Sequence, residues 1–214
     1  ALKLLKKALL QQMFPKNGED VPKVRFSNFT DKWEQRNLNN IYKSINEKND
    51  LTLAKNRIIS VAKMQWGKTP TESTDKYMRT YNVMRIGDIA FEGNKSKFFK
   101  YGRFVENTIG DGLISHVFVV FRPLKEMNLS YWKYFIHDES IMHNVLRMST
   151  TKATMMTNLV KKDFLKQQIF VPNESEQKNI GELLDFLSSI SKLSEKKLNS
   201  FELLKKTLLQ KLFI

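Results

Sequence analysis

Leu203-Leu204-Lys205-Lys206-Thr207-Leu208-Leu209-Gln210-Lys211-Leu212-Phe213 closes the chain and repeats, at a constant offset of 199 residues, Leu4-Leu5-Lys6-Lys7-Ala8-Leu9-Leu10-Gln11-Gln12-Met13-Phe14. Eight of the eleven pairs are identical. Solenoid units run to a few tens of residues, so a period this long has another origin. It fits one full unit of a tandem protein preceded by the tail of the unit before it, and Ala1 in first place fits a piece of that kind. The repeat asks why one helix must recur after each unit.

Both copies have helical spacing. Leu2, Leu5, Leu9 and Met13, with Leu4, Ala8 and Phe14, predict a helix that stops near Pro15. After Asn173 there is no Pro and only Gly181, so about 40 residues are predicted as one helix of roughly 60 Å. Its apolar stripe runs through Ile180, Leu183, Leu187, Ile190, Leu198, Phe201, Leu204, Leu208 and Leu212, interrupted at Ser194 and Lys197. A stripe that long requires a partner helix. The expected pairing set is therefore Leu2, Leu5, Leu9 and Met13 on one side and Leu187, Ile190, Leu198, Phe201, Leu204, Leu208 and Leu212 on the other.

Between the helices the pattern is mixed. Asn17 to Pro22 is turn chemistry and reads as a linker, which divides the chain into 1–16, 17–173 and 174–214. Strand-like runs occur at Arg57 to Ala62, Tyr81 to Met84, Asp88 to Phe91 and Leu113 to Arg122, where Val117-Phe118-Val119-Val120-Phe121 reads as a buried strand. Tyr131 to Leu146 predicts one helix, and Phe164 to Val171 a last strand ending at Pro172. The expected class is α/β in the α+β sense: a mixed domain followed by a long helix that packs as an antiparallel spacer.

Composition narrows the partner. The 214 residues carry 36 Lys and Arg against 22 Asp and Glu, a net charge of +14, which points to a polyanion. No apolar run is long enough to span a bilayer and no signal-peptide pattern is present, so no membrane partner and a cytoplasmic location are expected. With no Cys, disulfides and thiolate metal sites are excluded.

Two boundary motifs carry a resemblance. Phe164-Leu165-Lys166-Gln167-Gln168-Ile169-Phe170-Val171-Pro172, followed by Glu174-Ser175-Glu176-Gln177-Lys178-Asn179-Ile180, resembles the segment that closes a target recognition domain in specificity subunits of type I restriction-modification systems. Val21-Pro22-Lys23-Val24-Arg25-Phe26, with Phe29, Trp33-Glu34-Gln35-Arg36 and Leu38, looks like the start of such a domain. The resemblance implies the second half of a specificity subunit: the end of the central helix, one recognition domain and the C-terminal helix. It implies double-stranded DNA as ligand, and as partners the modification (methyltransferase) subunits and, through them, the restriction and motor subunit. For the isolated half it implies a homodimer through the terminal helices. No cofactor is expected on this chain itself.

DNA-contacting residues are sought in three acid-free stretches. Thr52 to Thr71 offers Lys63, Gln65, Trp66 and Lys68. Asn94 to Arg103 offers Asn94, Lys95, Lys97, Lys100 and Arg103. Ser140 to Lys162 offers Arg147, Thr150, Thr151, Lys152 and Thr154. The cations suit phosphates, and the amides and hydroxyls suit base edges or the backbone. Phe98, Phe99 and Trp66 are read as core side chains ahead of stacking partners, and Met148, Met155 and Met156 as packing.

Catalysis is not expected. The chain has no Pro-Pro for a methyltransferase tetrapeptide, no Pro followed by Asp for a Mg²⁺-dependent nuclease, and no phosphate-binding Gly-x-x-x-x-Gly-Lys loop. His116, His137 and His143 make no ligand pattern. The competing class is a helical scaffold or adaptor whose positive charge is incidental; it predicts no salt-sensitive retention by a DNA duplex.

Overall fold

The computed structural model describes residues 2–16, 19–71, 73–152 and 156–212. The expectations for Thr154, Met155 and Phe213 lie outside the described residues. The chain begins with helix α1 (Leu2–Gln12), then strands β1 (Glu34–Asn37), β2 (Tyr42–Ile45), β3 (Ile59–Ser60) and β4 (Gln65–Trp66) and the short helix α2 (Asp75–Met78). Strands β5 (Asn82–Met84), β6 (Ile89–Glu92), β7 (Arg103–Glu106), β8 (Gly112–Ile114) and β9 (Val119–Pro123) come next. Helices α3 (Leu129–Phe135) and α4 (Glu139–Ser149), the hairpin β10 (Thr150–Lys152) and β11 (Thr157–Leu159), helix α5 (Lys161–Lys166), strand β12 (Gln168–Val171) and helix α6 (Glu174–Leu212) complete it.

The centre is an antiparallel sheet in the order β2-β9-β6-β7. Side chains alternate across it, as the two-residue period of a strand demands. Ile89, Phe91, Phe104 and Phe121 enter one core with Trp132, Phe135, Phe164 and Ile180 from the helices. Ala90, Val105 and Val120 face the other way, onto Ile59, Val61, Met84 and Ile114 from the β3–β4 and β5–β8 ribbons. Phe164 stacks on Phe104 at 4.6 Å and on Phe121 at 4.7 Å, which locks α5 over the sheet. The mixed class and the long C-terminal helix are as expected, and β5 and β6 lie where the strand runs placed them.

Three expected elements divide. Leu113 to Arg122 is two strands in two layers: β8 pairs with β5, Phe118 N closes a turn on Ser115 O at 3.2 Å, and β9 joins the central sheet. Val117, expected buried, is 65% exposed at that turn. Tyr131 to Leu146 breaks into α3 and α4 because the Asp138 carboxylate accepts from Ser140 N (2.8 Å) and Ile141 N (3.3 Å), the geometry of a new helix start. Phe164 to Val171 is the end of α5 followed by β12, whose pairing with β1 ties the domain's first strand to its last.

The head of α6 is held from several sides. Asn173 Oδ1 caps it by accepting from Glu176 N at 2.9 Å. Arg25 donates to both oxygens of the fully buried Glu176 carboxylate, at 2.6 and 2.8 Å. Trp132 Nε1 donates to Gln177 Oε1 at 3.1 Å, while Gln177 Nε2 donates to Pro172 O at 2.9 Å. Gly181 lets α6 lie on α3, since a Cβ there would stand 2.8 Å from the backbone of Ser130 and Tyr131.

Helix α1 packs antiparallel on the first half of α6. Lys6 Nζ donates to Ser188 Oγ at 2.6 Å and lies over the Tyr134 ring, and Lys3 pairs with Glu195 at 2.6 Å. Of the expected pairing residues, Leu2 and Leu9 are half-buried, Leu187 is buried and Ile190 half-buried. Met13 lies beyond the helix end and is buried with Phe14 in the domain core, so it serves the domain and not the helix pair. From 192 to 212 every residue of α6 is exposed, including Leu198, Phe201, Leu204, Leu208 and Leu212, and Leu5 of α1 is open as well. Among the described residues nothing covers that apolar stripe.

Glu106 is 3% exposed at the end of β7, and neither carboxylate oxygen has a hydrogen-bond partner. Burial pushes its pKa up to about 9, against a weaker opposing pull from Lys133. The folded state therefore holds this proton through the pH range in which the unfolded chain has lost it, so the stability it contributes falls as pH rises from about 4.5 towards 9. Glu106→Gln should remove that part of the decline. Thermal melts of both forms between pH 5 and 9 should show the variant gaining on the parent as pH rises; parallel curves would overturn the assignment.

Candidate nucleic-acid interface

The first basic stretch is the β3–β4 hairpin with the segment just beyond it. Its turn passes through Met64 at a left-handed φ of 45°, so the ribbon reverses tightly and shows Lys63, Gln65 and Trp66 to solvent, with Lys68 exposed beyond. Trp66 is 41% exposed, which corrects its expected place in the core. The Arg57 guanidinium lies over its ring at 4.0 Å while Arg57 Nε and Nη2 donate to Asp111 O at 3.0 and 2.7 Å. Arg57 thereby braces the hairpin against the loop before β8.

The second stretch is the loop between β6 and β7. Ser96 and Phe99 exchange backbone hydrogen bonds (3.0 and 3.3 Å), which puts Lys97 and Phe98 at the tip of a tight turn. Ser96 Oγ also accepts from Phe98 N and Phe99 N, at 3.2 and 3.1 Å. Lys100 N donates to both carboxylate oxygens of Glu139 at the start of α4, at 2.8 and 2.9 Å. Phe99 is half-buried against His137 and beneath Arg103, whereas Phe98 is 73% exposed, a second correction to the core expectation. Lys95, Lys97 and Lys100 are exposed, and Asn94 Nδ2 donates weakly to Glu92 Oε1 at 3.4 Å. Arg103 is different: its Nε is bound to Glu92 at 2.6 Å and its Nη2 donates to Ala62 O at 3.3 Å. It is a brace within the protein, with a side chain only 20% exposed.

The third stretch is the end of α4 and the β10–β11 hairpin. Arg147, Thr151 and Lys152 are exposed. Thr150 is half-buried and its hydroxyl donates to Leu146 O at 2.7 Å, which leaves its oxygen as an acceptor only. Met148 and Met156 are 57% and 43% exposed and do not pack inside as expected.

These stretches, far apart in sequence, meet. Thr157 N donates to Gly93 O at 2.9 Å and its hydroxyl to Tyr101 O at 2.8 Å, while Asn94 bridges to Met156 in antiparallel fashion. The 94–102 loop is thus bound to the β10–β11 hairpin, and Arg103 ties the same loop to the turn after β3 through Ala62. The contacts join the 94–102 loop to the β10–β11 hairpin and, through Arg103, to the Ala62 turn, whereas Trp66 lies beside Gly110 and Asp111 past the other end of β7. Two further arginines are paired: Arg122 with Asp88 (2.9 Å) and Glu47 (2.8 Å), and Arg85 with Glu47 (2.5 Å) and Asp111 (3.0 Å). Hydrogen bonds from Arg85 and Arg122 hold Glu47 below the usual carboxylate range, so these charges compensate one another. The contact that sequence reasoning misses is Gly93 against Thr157; its only trace in sequence is a glycine after a strand.

A Cβ on Gly93 would lie 2.2 Å from Thr157 O. Gly93→Ala should therefore push the β10–β11 hairpin off the loop and cost about 1–3 kcal/mol. Urea unfolding together with limited proteolysis at 150–159 checks this; unchanged stability and cleavage would refute the coupling of the two stretches.

Among the described residues no group of three or more His, Cys, Asp or Glu is placed to hold a metal ion, and no helix is long and apolar enough to cross a membrane. No protein-family model matches the chain, and no curated protein does. Solved structures do. A chain from a structure of a type I R-M system, described for its complex assembly and conformational transition, superposes with a TM-score of 0.60 at 16% identity, over 96% of this chain and 49% of the other. The HsdS subunit from Thermoanaerobacter tengcongensis superposes with a TM-score of 0.52 at 16% identity, over 92% of this chain and 45% of its own. This chain spans about half the length of either, and at such identity the likeness is one of fold: it folds as one half of a type I specificity subunit does.

Proposed function

We propose that this chain is a non-catalytic DNA-reading component of a type I restriction-modification complex in the cytoplasm. It recognises one half of a bipartite double-stranded site and docks the modification subunits, with the restriction and motor subunit joined through them. The observation that carries the reading is the contact of the second basic stretch with the third, through Gly93, Asn94 and Tyr101, and with the turn of the first, through Arg103. Lys63, Lys68, Lys95, Lys97, Lys100, Arg147 and Lys152 neutralise phosphates, and Gln65, Asn94 and Thr151 read base edges. Thr150 contributes an acceptor, Arg103 holds the loop, and Trp66 flanks the bases from beneath Arg57. The exposed amides and hydroxyls among the cations distinguish this face from an incidental basic surface.

Helix α6 serves as the spacer. Its 39 residues measure about 58 Å, against roughly 34–36 Å between successive major grooves on one side of B-DNA. In the α1 copy of the repeat Lys6 donates to Ser188, whereas the matching Lys205 of α6 is exposed and has no such contact among the described residues. The open half of α6 pairs with the equivalent helix of a second unit, in this isolated half a second copy of the chain.

Titration of duplex DNA from about 50 to 200 mM salt should give a slope of log affinity on log salt of about −6, as expected if about seven phosphates are neutralised, and Lys97→Ala should flatten it by about 0.9. A flat line would refute DNA reading and favour the adaptor. In sedimentation equilibrium the chain should be dimeric, and the pair Leu204→Glu and Leu208→Glu should make it monomeric. A parent that stays monomeric at high concentration would remove the pairing role.

A further inference from the structure

Phe98 has an unexplained position. It is a large apolar side chain 73% exposed at the tip of the Ser96–Phe99 turn, with Lys97 beside it and Lys95 and Lys100 on the flanks. Turn geometry does not call for it, since Phe98 has no left-handed φ and tight turns favour small or polar residues. The core does not use it either: its neighbour Phe99 makes the inward contacts, with His137 and Arg103, while the Phe98 ring stacks on no other ring among the described residues. Yet the turn that carries it is held by several hydrogen bonds. Ser96 Oγ holds the backbone at Phe98 and Phe99, and Glu139 holds Lys100 N with both oxygens. An apolar tip held by hydrogen bonds, with exposed lysines at 95, 97 and 100, has the form of a wedge.

We propose that Phe98 inserts its ring between stacked bases of duplex DNA at a deformable pyrimidine–purine step, stacking on the exposed base face while the flanking lysines hold the phosphates on either side. The proposal rests on the DNA-reading role above and adds its mode: sequence preference through the ease of unstacking one step, in addition to hydrogen bonds at base edges. Apolar side chains at such tips unstack steps in other DNA complexes, and TA steps yield more readily than A-tracts of the same composition.

The test uses two duplexes of equal composition, alternating d(A-T) and d(A)·d(T), each with 2-aminopurine in place of some adenines, and the parent, Phe98→Ala and Phe98→Trp chains. Phe98 is exposed, so both variants keep the fold, which circular dichroism verifies. The parent should prefer the alternating duplex and raise its 2-aminopurine fluorescence. Phe98→Ala should lose that rise and roughly tenfold in affinity with the salt slope unchanged, and Phe98→Trp should retain both. Parent-like affinity and fluorescence for Phe98→Ala, with the salt slope intact, would overturn the wedge and leave DNA reading standing. Loss of parental binding on replacing thymine by uracil, with no fluorescence rise, would make Phe98 a thymine-methyl contact and equally overturn insertion. Absence of salt-sensitive binding by the parent would refute DNA reading, and the wedge with it.

Discussion

The Glu176 carboxylate sits in the first turn of α6 with no solvent around it, and the Arg25 guanidinium is what makes that tolerable. Removing one member of a buried pair leaves an uncompensated charge and costs about 3–5 kcal/mol, so the two must form together or not at all. Arg25 lies near the start of the domain and Glu176 just past its end. Their pairing, with Gln177 received by Trp132 of α3 and β12 laid against β1, closes the domain on itself. It also fixes the direction in which α6 leaves. Every later feature of the molecule depends on that exit.

From this junction two parts with different physics extend. The domain is a sheet with a core on each face, and its basic loops are held by hydrogen bonds. Arg57, Glu139 and Thr157 bind backbone atoms and Arg103 binds the Glu92 carboxylate and Ala62 O, while neighbouring lysines and amides are exposed. The helix is the opposite case. Over its first half it is covered by α3 and α1, and over 192–212 it offers leucines and Phe201 to water, a surface that a lone helix gains nothing by keeping. Hydrogen-bonded loops and an uncovered apolar helix fit the proposed role of holding two recognition domains at a set separation.

How far the sequence could be read varied with the range of the controlling interaction. The length of α6 was legible because Pro is absent and one Gly is tolerable in so long a stretch. The two boundary motifs were legible as motifs, but not that they touch: Arg25 and Glu176 are 151 residues apart, and no local pattern pairs them. The apolar run from Leu113 to Arg122 misled because continuous hydrophobicity does not show that a chain changes layers midway, with Val117 at the exposed bend. Helical spacing from Tyr131 to Leu146 is continuous in sequence, but Asp138 caps a second helix within it. Phe98 and Trp66 were assigned inward on composition, where the deciding fact was which neighbour, Phe99 or Arg57, had taken the structural task.

By itself the sequence determined the class of the fold, the recurrence of the helix end and the excess of positive charge, since periodicity, proline placement and net charge are local or additive properties. Only the tertiary structure decided that the three separate basic stretches touch, that Arg103 binds Glu92 and Ala62 O, and that among the described residues nothing covers the apolar stripe of α6 from 192 to 212. Those are outcomes of long-range geometry: a hydrogen bond from Thr157 to Gly93 or a carboxylate buried under Arg25 is a relation between distant residues, and the energy that selects it exists only once the chain has closed.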